Sequence, residues 1–221
     1  MHRSASRAAR AAGLLPLSLF ALTALEHLRI GQLYELLWMC NIANLLVGIG
    51  LLAQRSSVAL IGTYWIAYGS AWWLYDGLAY GGITLLSSLK HAGTTSIGIA
   101  AALLAGDPLL DRARPRVFWL STLAFCALQA ICRAFTSELA NVNFAFESYH
   151  LVGRWFPKGS YAPFWCALVG TGAFVAYLLE RALIALRALT RPPSSRALRA
   201  AGAAFAGVTT TPCVEQRGER L

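Results

Sequence analysis

Charged residues are scarce in this chain. Asp, Glu, Lys and Arg make up 13% of its 221 residues, against roughly 25% in an ordinary soluble domain. There is too little polar surface to coat a globule, which excludes a conventional soluble fold. Lysine is almost absent, with Lys90 and Lys158 standing beside seventeen arginines. No Gly-rich phosphate loop, heptad pattern or internal repeat occurs. The five cysteines, Cys40, Cys126, Cys132, Cys166 and Cys213, form no CxxC or zinc-type spacing, so neither a redox motif nor a zinc finger is encoded. Four of them lie inside apolar runs, where a lone cysteine is ordinarily a small core residue.

Hydrophobic residues, by contrast, make up 57% of the chain, and they come in long runs. A helix crosses the hydrocarbon layer with about 20 apolar residues. Clear candidates are Leu33 to Leu52, Val58 to Tyr75, Val117 to Phe135 and Ala162 to Leu183. Two weaker ones are Ala11 to Leu25 and a stretch around Leu85 to Leu104. The expected fold is therefore all-α, a polytopic transmembrane helix bundle of six spans. It would have five spans if the first run, preceded by Arg3, Arg7 and Arg10, were a cleaved signal peptide. The expected organisation is a basic cytoplasmic tail over 1–10, the helical domain over 11–191, and a second basic cytoplasmic tail, partly disordered, over 192–221.

The net charge of +9 raises nucleic-acid binding, but the arginines sit in tails and one short loop rather than on one face of a folded domain. They act better as topology signals. Alternating six spans places 14 of the 19 basic residues on the cytoplasmic side, leaving Arg29, Lys90, Arg133, Arg154 and Lys158 outside. That satisfies the positive-inside rule. The expectation is a multi-pass protein of the cell membrane with both termini in the cytoplasm.

On this topology the polar chemistry gathers at the outer side. His27, His91 and His150 lie there, with Glu26, Glu35, Asp76, Glu138 and Glu147. Glu35, Asp76, His91 and Arg133 fall near the outer ends of four spans, and ionisable groups within spans normally face the interior and pair. Arg133 is thus expected to pair with Asp76 or Glu35. Asn41, Asn44 and Gly48 share one helical face, suited to interhelical packing or to a ligand. Ser87, His91 and Thr95 stack at four-residue spacing. A Ser–His pair can act as nucleophile and base only where a third group orients the imidazole. The longest outer loop, Thr136 to Tyr161, carries Asn141, Asn143 and the Glu147-x-x-His150 spacing, which can bring two ligands onto one metal if helical. Most of the tryptophans and tyrosines read as interfacial belt residues, a few of which could wall an apolar substrate.

The candidate catalytic residues are therefore His91, Asp76, Glu35 and Ser87. Asn41, Asn44, Arg133 and Asn143 are candidate substrate contacts, and His91, His150 and His27 are candidate ligands for a divalent metal. The pattern Ser87-x-x-x-His91 with Asp76 resembles part of the alkaline-ceramidase-like membrane hydrolases. That family's late His-x-x-x-His pair is missing and its Asp follows the Ser–His motif instead of preceding it, so the chain is not assigned to it. Three functions compete: a non-catalytic subunit or small-molecule binding or transport module, a membrane-embedded enzyme acting on a lipid or apolar substrate, and a haem or electron-transfer protein using paired histidines. The partners implied are the lipid bilayer, a small apolar or lipid ligand and another membrane protein, with no nucleic acid.

Overall fold

A computed structural model describes residues 2–81, 83–104, 117–138, 140–145 and 161–190, with the backbone alone for 2–6. Every regular element among these residues is helical. In chain order they are α1 (His2–Ala12), α2 (Leu14–Arg29), a 3-10 turn (Leu33–Leu37), α3 (Met39–Leu52), α4 (Ser56–Tyr80) and α5 (Leu85–Ser88). A π-helical turn (Leu89–Gly93) leads into α6 (Thr94–Leu104), followed by α7 (Val117–Phe135), a 3-10 turn (Val142–Phe144) and α8 (Tyr161–Thr190). Residues up to Leu186 form one compact unit, and the chain from Arg187 onward forms another, whose described part is the last turn of α8.

Three helical stretches are long and apolar enough to cross a membrane: Arg7–Arg29, Val117–Phe135 and Tyr161–Thr190. The other expected spans are interrupted or less apolar. Leu33 to Leu52 is not one helix, because Trp38 takes an extended conformation (φ −55°, ψ 133°) between the 3-10 turn and α3. The 14 residues left to α3 rise about 21 Å at 1.5 Å each, short of the ~30 Å of a hydrocarbon core. The stretch Leu85 to Leu104 is divided by the π turn. Helix α4 has ample length at 25 residues, but Thr63, Tyr64, Ser70, Tyr75 and Asp76 dilute its apolar character. The apolar helices are also poorly covered: only 17% of the apolar stretch of α8 is buried, and Leu123 of α7 is 66% exposed. Apolar surface on this scale calls for a non-aqueous surrounding.

Helices α3 and α4 form the tightest pair. A Cβ placed on Gly62 would lie 2.8 Å from both the Ala43 carbonyl oxygen and the Val47 amide nitrogen. Only glycine permits that backbone approach. The main core gathers Met39, Ala43, Trp65, Ile66, Phe125, Leu128, Phe164 and Leu168, drawn from α3, α4, α7 and α8. Three hydroxyl groups on α2 and α4 bond the backbone of their own helix: Thr23 donates to Leu19, Thr63 to Ala59 and Ser70 to Ile66. Such back-bonding suits helices that find little water.

Candidate functional site

Six segments converge on one cavity of about 370 Å³. The start of α3 contributes Trp38, Met39 and Cys40, and α4 contributes Tyr68, Gly69, Trp72, Trp73 and Asp76. His91 comes from the π turn, Phe125 from α7, Asn143 and Phe144 from the second 3-10 turn, and Leu168 from α8. On α4, Tyr68, Trp72 and Asp76 recur every four residues and so share a face, as do Gly69 and Trp73. The volume lies in the range of small-molecule sites, which are concave, largely apolar and carry a few placed polar groups.

His91 is buried, at 6% exposure. Its ring stacks on Trp73, with centroids 5.0 Å apart and planes 7° from parallel. Its Nδ1 lies 2.9 Å from the Ser87 carbonyl oxygen. A carbonyl can only accept, so Nδ1 carries a proton, and a neutral ring would then have its lone pair on Nε2. The π turn places this residue, and π turns recur at functional sites.

Asn143 holds the opposite wall. Its Oδ1 accepts from the Met39 amide at 2.7 Å, and its Nδ2 donates to the Leu37 carbonyl at 2.6 Å and approaches Cys132 Sγ at 3.3 Å. It thereby satisfies backbone groups on both sides of the Trp38 break. The segment itself is strained: Asn141, Asn143 and Phe144 have φ of 39°, 55° and 56°, which Asn tolerates and a bulky aromatic rarely adopts. Surrounding side chains lock it. Gln129 donates to the Asn143 carbonyl at 2.6 Å, the Tyr161 hydroxyl lies 3.0 and 2.8 Å from the Phe144 and Ala145 carbonyls, and Arg133 donates to the Ala145 carbonyl at 3.2 Å. Strain of this kind persists only where the surroundings over-determine it, and it clusters at functional sites. The strained Phe144 ring packs edge-on against Trp38 and tilted against Trp72, at 5.5 and 6.0 Å between centroids.

No protein-family model, curated protein or solved structure matches this chain. The site must be read from its own residues.

Of the sequence candidates, Asp76, His91 and Asn143 border the cavity. Glu35 stands behind it, accepting a hydrogen bond from the Trp38 indole. Asn41 and Asn44 are buried in helix packing: Asn41 donates to the Glu35 carbonyl at 2.9 Å, and Asn44 accepts from the Thr94 hydroxyl at 2.6 Å. The Ser87 hydroxyl donates to the Thr84 carbonyl and accepts from the Thr84 amide, both at 2.9 Å, in a capping box that starts α5. What faces His91 is the Ser87 carbonyl, not the hydroxyl a nucleophile would need. Arg133 borders a separate hollow with Gln129, Tyr161 and Trp165, its guanidinium 5.2 Å over the Tyr161 ring. His27 lies near the end of α2, half-buried, with Nδ1 unpartnered. His150 and Glu147 fall outside the described residues, and among the described residues no three His, Cys, Asp or Glu side chains are grouped to hold a metal.

Sequence reading missed Tyr68 and Phe144 as cavity walls, and it left Trp72 and Trp73 among aromatics read mostly as an interfacial belt. The four-residue recurrence of Tyr68, Trp72 and Asp76 was the available signal. It also missed Glu180, whose carboxylate accepts from the Val117 and Phe118 amides at 3.4 and 3.2 Å and so caps α7 from α8.

Proposed function

We propose that this chain is a multi-pass membrane protein that binds a small, largely apolar molecule in the aromatic cavity, serving as a non-catalytic binding or transport module. The observation that carries the reading is the 370 Å³ hollow walled by Trp38, Tyr68, Trp72, Trp73 and Phe144 with Asp76 and His91 at its edge. The proposed topology has six crossings, with α3, α4 and the α5–α6 segment sheltered among the three fully apolar helices. Irregular backbone such as the Trp38 break is tolerated at membrane depth only where protein buries it, and Asn143 supplies that cover. The charge distribution of the sequence supports cytoplasmic termini, which puts the cavity toward the outer leaflet.

Gly69 offers the direct test. A Cβ there meets Cys40 Cβ and Met39 Cε at an ordinary 3.6 Å, so Gly69→Leu is expected to fold while filling the cavity. Titration with small apolar molecules should produce a saturable change in tryptophan emission that this variant loses. A variant that binds as tightly as the parent would refute the site. Reporter fusions after Arg55 and Glu138 test the topology. Opposite sides are expected, and a common side would overturn it.

One observation favours a second reading, an enzyme acting on an apolar substrate. His91 is oriented through Nδ1, and a fixed imidazole with its Nε2 lone pair available is the arrangement of a general base. In that case His91→Gln would bind ligand normally and turn over nothing.

A further inference from the structure

We infer that α1, α2 and the α3–α4 turn hold an anionic phospholipid of the cytoplasmic leaflet, its phosphate on arginines and an acyl chain along exposed leucines. The inference rests on the proposed membrane topology and is independent of what the aromatic cavity binds. Register comes first. Arg3, Arg7 and Arg10 recur at intervals of four and three on α1, so they share one face. Gly13 keeps near-helical dihedrals (φ −66°, ψ −18°), which carries that face across into α2. Leu14 follows Arg10 by four residues and Arg7 by seven, and Leu25 lies three turns further on. Arg7 and Arg10 are exposed, and Leu14 and Leu25 are 56% and 55% exposed. Among the described residues neither guanidinium has a hydrogen-bond or ion-pair partner.

Helix length sets the depth. Arg7–Arg29 is one of the stretches able to cross a membrane, and no charged residue lies between Arg10 and Glu26. The rise is about 24 Å from Arg10 to Glu26 and about 33 Å from Arg7 to Arg29. A hydrocarbon core of ~30 Å falls between those limits, so Arg7 and Arg10 stand at the headgroup level of one leaflet. Arg55 belongs to the same end of the bundle. Gly13 packs so closely on α3 that an added Cβ would lie 2.9 Å from Leu51 Cβ, and Arg55 stands four residues beyond Leu51. It is exposed in the turn before α4, as is Leu52, and it too lacks a side-chain partner among the described residues.

The chain's own acids leave this end positive. On the proposed topology the cytoplasmic side carries fourteen basic residues and five acids. One of the five, Glu180, is buried and holds the first amides of α7. A basic side chain near an anionic membrane surface gains about fivefold in affinity. A soluble anion, nucleic acid included, would use the arginines and nothing of the leucine strip. A zwitterionic lipid would fill the strip while bringing an ammonium against the guanidinium groups. A negative head on an apolar tail meets both halves.

The test titrates the purified full-length protein, in neutral detergent, with dioleoyl phosphatidylglycerol or dioleoyl phosphatidylcholine, and counts bound lipid by native mass spectrometry. The expected result is at least fivefold tighter binding of the anionic lipid, falling below twofold when Arg7→Gln, Arg10→Gln and Arg55→Gln are combined. Arg29→Gln, at the opposite end of the same helix, should keep the full preference. Equal binding of the two lipids by the parent would overturn the inference and leave the membrane reading standing. A protein that stays folded and monomeric without detergent would remove both. Full preference in the folded triple variant, or its loss in Arg29→Gln, would overturn the location. Displacement of the lipid by millimolar glycerol phosphate would overturn the lipid in favour of a soluble phosphate. The parent comparison decides the charge preference even if the triple variant fails to fold.

Discussion

Replacing Asn143 should be among the most damaging single changes at the site, and its cost divides into measurable parts. The side chain accepts from the Met39 amide at 2.7 Å and donates to the Leu37 carbonyl at 2.6 Å, and the residue is 4% exposed. Truncation orphans one buried donor and one buried acceptor, each worth about 1–3 kcal/mol. Asn143 also sits at φ 55°, ψ 24°, where an alanine pays about 1 kcal/mol or more for its Cβ and a glycine pays nothing sterically. Asn143→Ala is therefore expected to destabilise by about 3–7 kcal/mol, combining both terms. Asn143→Gly should lose the hydrogen bonds but escape the strain, coming out about 1 kcal/mol less destabilised. Reversible unfolding in mixed micelles, followed by near-UV circular dichroism, measures both. Asn143→Ala within 1 kcal/mol of the parent would refute the clamp. Asn143→Gly less stable than Asn143→Ala would refute the assignment of left-handed strain.

Other outcomes follow from the same contacts. Gly62→Val forces a branched side chain against the Ala43 carbonyl and Val47 amide, where even a Cβ sits at 2.8 Å; overpacking costs about 1–3 kcal/mol or more, and folded yield in membranes should fall sharply. Glu180→Leu removes the acceptor for the first amides of α7 at about 1–2 kcal/mol, while Glu180→Gln should recover part of it, both read from thermal melts. His91→Leu abolishes the stack on Trp73, so the tryptophan emission spectrum should change without gross unfolding; an unchanged spectrum would place the two rings apart.

Much of the site's location was legible because helix ends are predictable from apolar run lengths. Asp76 and His91 flank a short connection between two runs, so their proximity follows from the chain turning back. Asn143 was identified as a polar loop residue and a candidate substrate contact. Its role as a clamp across the Trp38 break depends on partners more than a hundred positions away, which no local pattern encodes. The break was itself hidden, because Leu33 to Leu52 runs apolar with no proline to mark it. Ser87 and His91 show the opposite failure. Their four-residue spacing did predict a contact, yet the atom facing the imidazole is a backbone oxygen, and spacing alone cannot separate carbonyl from hydroxyl. The expected pairing of Arg133 with Asp76 or Glu35 rested on equal depth alone. Arg133 and Asp76 border different hollows.

The wider turn at Leu89–Gly93 has a geometric consequence for this helix. In a uniform α-helix each residue advances about 100°, so the directions of His91 and Thr94 would be tied by a fixed interval. The extra residue in the loosened turn uncouples them, letting the imidazole meet Trp73 on α4 while the hydroxyl three positions later reaches Asn44 on α3. Deleting Ala92 would tighten the winding and rotate one half of the helix against the other by roughly that angle. Only one of the two neighbours could then be kept, so this turn works as a phase shifter between the cavity and the core.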